Sequence, residues 1–190
     1  LSVISLFMNQ YQNRTIINSY SVQDNKIDLF MEIMPNLKRQ FRIGLVANYV
    51  HLRDNLVHNV ESDNYDYISH AYFNYYIDNE NSPTFASRGW KFNLNGKYIM
   101  PVIKLEDGSR MSHSFILKAD INGSIAIGKK HSLKLGATAG TSLLAQEPPL
   151  SYQFFLGGQS HMNYFDNIIS FDGLRFTQLY GDHITLAKIS

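Results

Sequence analysis

The sequence predicts an all-β fold: an antiparallel transmembrane β-barrel with about eight strands in this chain. Three observations lead to this prediction. Apolar and polar residues alternate with a period of two along most of the chain. The alternating runs last about 10 to 16 residues, whereas strands of soluble proteins are usually nearer five or six. The polar positions carry mostly Asn, Ser, Thr, Gly and scattered Lys instead of many charges.

The composition excludes several classes of function. A formal net charge of +1 over 190 residues gives no reason to expect a nucleic-acid partner. The absence of cysteine excludes disulfides, cysteine nucleophiles and thiolate metal sites. No segment approaches the roughly 18 consecutive apolar residues of a membrane helix. A membrane barrel, however, needs an apolar residue only at every second strand position, and the aromatic content of 13% suits its aromatic girdles.

The alternation assigns each strand two faces. We expect the apolar positions to meet lipid and the polar positions to point into a lumen. The expected lipid-facing residues are Trp90, Phe92, Leu94, Phe115, Leu117, Ile121, Leu133 and Leu135, and the expected inward ones are Lys91, Asn93, Lys97, Lys118, Asp120 and Lys134. The predicted strands are 1–11, 26–35, 40–53, 64–79, 86–103, 113–128, 132–145 and 181–190, with Thr15–Val22 as a further short strand left open.

The connections between strands support a barrel. Tight turns at Asn36–Arg39 and Lys129–His131 alternate with longer polar stretches at 54–63, 104–112 and 146–180. Short periplasmic turns and longer outer loops alternate in this way in outer-membrane barrels. The connection Glu80–Thr84 falls on the periplasmic side, where it is somewhat long.

The segment 146–180 is too rich in large apolar side chains to stay in water, since each gains on the order of 1.5–3 kcal/mol from burial. We therefore expect it to fold back into the lumen, with an outer cap or a partner contact as the alternative. A Gly-Gly pair after its aromatic run would permit a sharp reversal. The residues expected to take part are Gly157, Gly158, Asn163, Tyr164 and Arg175 of the loop, and Lys118, Asp120 and Asn122 of the wall.

Three motifs carry a resemblance to a known family. Ser82–Trp90 resembles the Pro-Thr-x-Gly strand opening of BamA/TamA-type outer-membrane barrels, the bacterial surface antigen superfamily. Phe154–Ser160 is similar to the aromatic-x-Gly-Gly start of that superfamily's long sixth outer loop, and Gly181–Ala187 to the strand that leaves it. The resemblance implies a bacterial outer-membrane location and a translocation or anchoring role. It also implies that residues 1–190 are a fragment of a single barrel domain of roughly sixteen strands, an expectation that the absence of a starting Met also favours.

The loop tip departs from the family pattern and so favours one branch of the superfamily. Assembly and secretion members carry an Arg-Gly-aromatic loop tip, where this chain has Asn163-Tyr164-Phe165. The loop looks more like that of barrels fused to patatin-like phospholipases of Bacteroidetes type. The resemblance then implies outer-membrane lipid and the protein's own N-terminal periplasmic or hydrolase domain as partners. Homo-oligomers are a further option, because eight strands of a larger barrel leave two unpaired edges that can pair between copies.

Catalytic chemistry is absent from the sequence itself. A patatin-like hydrolase needs a Gly-x-Ser-x-Gly elbow, and Gly140-Thr141-Ser142-Leu143 lacks the second glycine. The seven histidines have no metal-binding spacing, and His70 and His113 are interpreted as polar lumen or rim residues. We therefore expect no enzyme activity, cofactor or metal in this segment. A passive porin-type channel and a soluble β-protein that binds an apolar ligand remain as alternative functions.

Overall fold

The chain folds into one large antiparallel sheet. The structure, a computed structural model, describes residues 2–12, 15–54, 63–82, 86–100, 113–128, 131–143, 152–158, 167–171, 173–175 and 178–189. Seven long strands come first: β1 Ser2–Gln12, β2 Thr15–Asn36, β3 Arg39–Asp54, β4 Asp63–Asp78, β5 Gly89–Ile99, β6 Ser114–Ile127 and β7 His131–Leu143. Three short strands follow, β8 Phe154–Leu156, β9 Ile168–Ile169 and β10 Leu179–Gly181, and then β11 His183–Ile189.

The strand order in this sheet is β1-β2-β3-β4-β5-β6-β7-β11, with every neighbouring pair antiparallel. These eight strands match the eight that the alternation predicts, and the predicted all-β antiparallel fold is confirmed. The sheet is open within the described residues, since β1 and β11 form its two edges. No helix in the described part of the chain is long and apolar enough to cross a membrane.

Strand β2 is longer than the sequence indicates. Its 22 residues join the predicted strand 26–35 to Thr15–Val22, so the latter is no separate strand. Most residues between 18 and 25 are polar, and they therefore show no alternation. The backbone pairing nevertheless defines a strand here, because β2 pairs with β1 over Thr15–Lys26 and with β3 over Tyr20–Asn36.

The strand register separates two faces of the sheet. Cross-strand pairs place Trp90, Phe92, Leu94, Phe115, Leu117, Ile121, Leu133 and Leu135 on one face, as expected. We call this the apolar face. Several of its large side chains are well exposed, among them Ile121 at 49%, Ile125 at 54% and Ile189 at 77%, while Phe92, Leu94, Phe115, Leu117 and Leu133 are partly buried. The opposite, polar face holds Lys91, Asn93, Lys97, Lys118, Asp120 and Lys134, also as expected.

Aromatic residues lie at two levels of the apolar face. Tyr49 and Tyr67 pair across β3 and β4 with ring centroids 4.9 Å apart. Phe41 and Tyr75 pair eight residues further along the same two strands. That spacing is about 27 Å along a strand, or about 20 Å of height at a strand tilt of about 45°. Between the two levels, β3 carries Ile43, Leu45 and Ala47 on this face, while the same rows on β4, β5 and β6 also hold Phe73, Tyr98 and Phe115.

The polar face is held together by side-chain bonds between strands. Arg42 Nε of β3 donates to Glu32 Oε2 of the neighbouring β2 at 3.0 Å. The Tyr72 hydroxyl of β4 reaches across β3 and donates to Asp28 of β2 at 3.1 Å. Further along, Asn74 Nδ2 donates to Asn93 Oδ1 of the neighbouring β5 at 2.8 Å. Partly enclosed polar groups must find partners, and here they find them on other strands of the sheet.

The connection between β4 and β5 is longer than a tight turn, and side chains close it. Asn81 Oδ1 accepts hydrogen bonds from the backbone N–H groups of Ser87 and Arg88, both at 3.1 Å. Lys91 Nζ bridges Asp78 at 3.2 Å and Glu80 at 2.9 Å. These contacts fix the start of β5, the strand whose opening carries the first resemblance motif.

Candidate functional site

The long segment after β7 contains a small sheet of its own. Strand β8 is flanked by β9, which runs parallel to it, and by β10, which runs antiparallel. An isolated bridge joins Gly158 to Phe171. We call residues 152–158 and 167–171 the loop core. It is an ordered unit, built from strands too short to leave a periodic signal in the sequence.

The loop core packs against the polar face of the main sheet. Its apolar side chains Tyr152, Phe154, Phe155 and Ile169 form one buried cluster with Ile68, Ile99 and Ile116 of β4, β5 and β6. Phe155 is only 1% exposed and Phe154 only 3%. Burial of each such side chain stabilises the contact by about 1.5–3 kcal/mol. Ile184 and Leu186 of β11 pack at the margin of this cluster.

A glycine in β7 makes room for the loop core. A Cβ at Gly140 would lie 2.5 Å from Cζ of Phe154, which is closer than real side chains approach. The Phe154 ring therefore occupies the space that a side chain at position 140 would fill. The sequence shows Gly140 only as a small residue in an alternating strand, with no sign of its partner.

Three buried polar residues tie the start of the loop core to β3 and β4. The Tyr152 hydroxyl bonds to His70 Nδ1 at 2.9 Å and accepts from Asn48 Nδ2 at 3.3 Å. The rings of His70 and Tyr152 meet edge to face, with centroids 5.5 Å apart. Both sheet residues are under 9% exposed. Buried polar groups are costly when unpaired, so these bonds favour one defined position for Tyr152.

Gly157 and Gly158 allow two backbones to approach closely. A Cβ at Gly157 would lie 2.0 Å from the carbonyl oxygen of Arg175, and its φ of 146° is one that other residues rarely adopt. The Gly157 N–H donates to the Ile169 carbonyl at 3.1 Å, and the Gly158 N–H to the Leu174 carbonyl at 3.0 Å. The glycine pair thus joins the two halves of the loop core.

The wall residues expected at the site border a cleft beside the loop core. Lys118, Asp120 and Asn122 line it from the main sheet, and Ile168, Ile169 and Ser170 line it from the loop, around a volume of about 310 Å³. Arg175 is exposed and does not border this cleft. Asn163 and Tyr164 lie outside the described residues. The position of the loop inside a closed lumen stays a prediction.

Sequence reasoning missed the residues that anchor the loop core. His70 was expected only as a polar lumen or rim residue, Gly140 only as a strand glycine that eases curvature or close packing, and Asn48 and Lys188 had no assigned role. Lys188 Nζ donates to the Ser170 carbonyl at 2.6 Å, which ties β11 to the loop core. His113 lies at the exposed rim, where its Nδ1 bonds to the Tyr98 hydroxyl at 2.7 Å.

Long antiparallel strands, one apolar and one polar face, and an ordered loop packed on the polar face define the wall of an outer-membrane β-barrel. The comparison with protein families agrees, because the family model of the OMP85 superfamily matches residues 3–190. The chain belongs to the OMP85 superfamily. Its members are outer-membrane proteins of Gram-negative bacteria, with a general role in translocation and insertion. The comparisons found no significant match among curated proteins or solved structures.

Proposed function

We propose that this segment forms part of the wall and the lumen plug of an outer-membrane barrel that anchors or passes a partner domain. The observation that carries the proposal is the packing of Tyr152, Phe154 and Phe155 on the polar face of the main sheet. A loop held there lies on the side of the wall that faces away from lipid. It therefore controls what passes along that face.

Lipid is the partner that suits the apolar face. Large apolar side chains such as Leu29, Leu45 and Ile125 are more than half exposed there. Contact with water over so wide an area would be unfavourable. The two aromatic levels, about 20 Å apart in height, fit the girdles that flank an apolar band of about 25 Å in membrane barrels.

A larger barrel accounts for the open sheet. Strands β1 and β11 each have one unpaired edge within the described residues. Unpaired backbone groups are costly in lipid, so each edge needs a further strand. A barrel of roughly sixteen strands supplies these neighbours and encloses the polar face.

Anchoring of a hydrolase is the function that the loop sequence favours within the superfamily. Asn163-Tyr164-Phe165 lacks the arginine of assembly and secretion members, and this favours the barrel fused to patatin-like phospholipases. Because the chain has no Gly-x-Ser-x-Gly elbow, any lipid hydrolase belongs to a separate N-terminal domain of the parent protein. Phospholipid hydrolysis by the full-length protein, retained in a variant truncated before the barrel, would support this branch. Absence of hydrolysis by the full-length protein would refute it.

Conductance of the full-length protein in planar lipid bilayers tests the plug. We expect small conductance for the natural sequence. The double substitution Tyr152→Ala with Phe154→Ala should raise it, since it removes two anchors of the loop core. The control Tyr98→Ala on the apolar face should leave it low. Large conductance of the natural sequence would instead support a passive porin-type channel, and full solubility without detergent would support a soluble β-protein.

A further inference from the structure

The connections at the two ends of the main sheet differ in charge. Counted from the last residue of one strand to the first of the next, those at one end are 36–39, 78–89 and 127–131, and those at the other end are 12–15, 54–63, 99–114 and 143–183. The first three hold five Lys or Arg and two Asp or Glu, whereas the other four hold four Lys or Arg and nine Asp or Glu. Tight turns such as 36–39 and 127–131 lie on the periplasmic side of outer-membrane barrels. We call this end of the wall the basic end.

The cations of the basic end are not neutralised by its own carboxylates. Asp78 and Glu80 both pair with Lys91 Nζ of the polar face, at 3.2 and 2.9 Å. The side chains of Lys38, Arg39 and Arg88 are exposed, and none of the three has a carboxylate partner among the residues that the structure describes. The undescribed residues of these connections, 83–85 and 129–130, include no Asp or Glu. Three cations are therefore available to a ligand.

The starts of β3, β5 and β7 lie at one height in a tilted sheet. The cross-strand row that begins at Arg39 of β3 reaches β7 at Ala137, six residues after the start of that strand at His131. Six residues are about 20 Å along a strand, and the four strand spacings from β3 to β7 are about 19 Å across the sheet. Equal shifts in the two directions correspond to a tilt of about 45°, the tilt of membrane-spanning strands. The strand starts therefore follow a line parallel to the membrane plane.

Apolar side chains border the cations on this line. Arg39 lies on the apolar face, because it pairs with Ile77 two residues before Phe41. Arg88 comes two residues before Trp90, which is 41% exposed, and Leu37 in the turn before β3 is fully exposed. Cations beside tryptophan and aliphatic side chains at the margin of a lipid-facing surface are typical of a membrane–water interface.

We infer that Lys38, Arg39 and Arg88 bind the phosphate groups of anionic phospholipids in the periplasmic leaflet, with Leu37 and Trp90 against the upper part of the acyl chains. Arginine forms paired, charge-assisted hydrogen bonds to phosphate oxygens. A Lys or Arg near an anionic membrane surface strengthens association by about fivefold. This binding rests on the proposed function, in which the apolar face meets lipid, and it adds the headgroup that the basic end selects.

Quenching of Trp90 fluorescence by lipids with brominated acyl chains tests this site. The full-length protein is inserted into phosphatidylcholine vesicles in which a rising fraction of the lipid is either brominated phosphatidylglycerol or brominated phosphatidylcholine. The Trp90 signal is the difference between the natural sequence and Trp90→Phe. We expect brominated phosphatidylglycerol to quench it at about a fivefold lower fraction than brominated phosphatidylcholine does. NaCl at about 1 M should remove most of this preference, since the Debye length is then about 3 Å.

Substitution of single cations separates the basic end from the total charge of the protein. Arg88→Gln should lower the preference for phosphatidylglycerol, and addition of Arg39→Gln should bring it close to one. Lys134→Gln is the matched control, because Lys134 is exposed on the polar face three residues after the start of β7. This variant should keep the preference of the natural sequence.

Three results would overturn the inference. Equal quenching of the natural sequence by the two lipids would show that the basic end does not select anionic headgroups, while the contact of the apolar face with lipid would stand. Equal loss of preference in Arg88→Gln and Lys134→Gln would indicate an effect of total charge alone. Absence of Trp90 quenching by both lipids would overturn this binding together with the proposed function, because the apolar face would then not meet lipid.

Discussion

Single glycines decide how closely the loop core approaches the wall and the rest of its own loop. Gly140 leaves the space that the Phe154 ring fills, and Gly157 leaves the space that the Arg175 carbonyl fills. In both cases the contact depends on a missing side chain. Such contacts are invisible to pattern analysis, because a glycine in a strand or after an aromatic run has several common explanations.

Substitution of Gly140 tests the first of these contacts. Gly140→Ala places a methyl group 2.5 Å from the Phe154 ring, which must move. Overpacking of this kind costs about 1–3 kcal/mol, and we expect a lower midpoint of urea unfolding in detergent. Gly123→Ala is the control, since its Cβ would meet only a backbone oxygen at 3.8 Å. Equal midpoints for the two variants would contradict the packing of Phe154 on β7.

Substitution of Gly157 tests the second contact. Gly157→Ala brings a Cβ against the backbone carbonyl of Arg175 at a φ of 146°, so residues 157 and 175 must move apart. We expect faster cleavage of the segment 146–180 by an added protease. Gly173 has a positive φ of 92° but open space around it, so Gly173→Ala measures the effect of backbone strain without a steric clash. Similar cleavage of both variants would show that close approach at Gly157 is unimportant.

At the scale of elements, the long strands were predictable and the short ones were not. Strands β5 and β6 alternate over most of their length, so most residues of each face follow from the sequence. Ile99 and Ile116 break the alternation, because they lie on the polar face under the loop core. Strands β8, β9 and β10 have only two or three residues, too few for a period. Polar residues at both alternating positions hid the first half of β2 in the same way. Apolar and polar residues alternate only where the two faces of a strand meet different environments. A strand with the same environment on both faces therefore shows no alternation.

A charged substitution on β6 tests which face of the sheet meets lipid. Leu117→Arg on the apolar face should lower the free energy of unfolding by about 2–4 kcal/mol if that face meets the membrane interior. Ser132→Arg is the control, because position 132 lies on the polar face opposite Ala126. Urea unfolding in lipid vesicles measures both variants. A larger loss for Ser132→Arg than for Leu117→Arg would mean that the polar face, not the apolar face, meets lipid.

For the whole molecule, the fold class and the superfamily were within reach of the sequence, but the anchoring of the loop was not. The bond from Tyr152 to His70 joins residues 82 positions apart, and no local pattern connects them. The amount of apolar surface in 146–180 indicated that the loop must be buried somewhere. The contacts in the structure show which wall residues receive it, among them Asn48, His70 and Gly140.

Crosslinking between the loop core and the wall tests the central claim, that the loop core lies on the polar face. Because the chain has no cysteine, paired cysteines can replace His70 and Tyr152, whose rings lie 5.5 Å apart. A short bifunctional maleimide applied to the protein in outer-membrane vesicles should join this pair efficiently. The pair Ser69→Cys with Tyr152→Cys should stay unjoined, since Ser69 lies on the apolar face. Equal crosslinking of both pairs, or none at position 70 when each cysteine reacts with a monofunctional maleimide, would contradict the account.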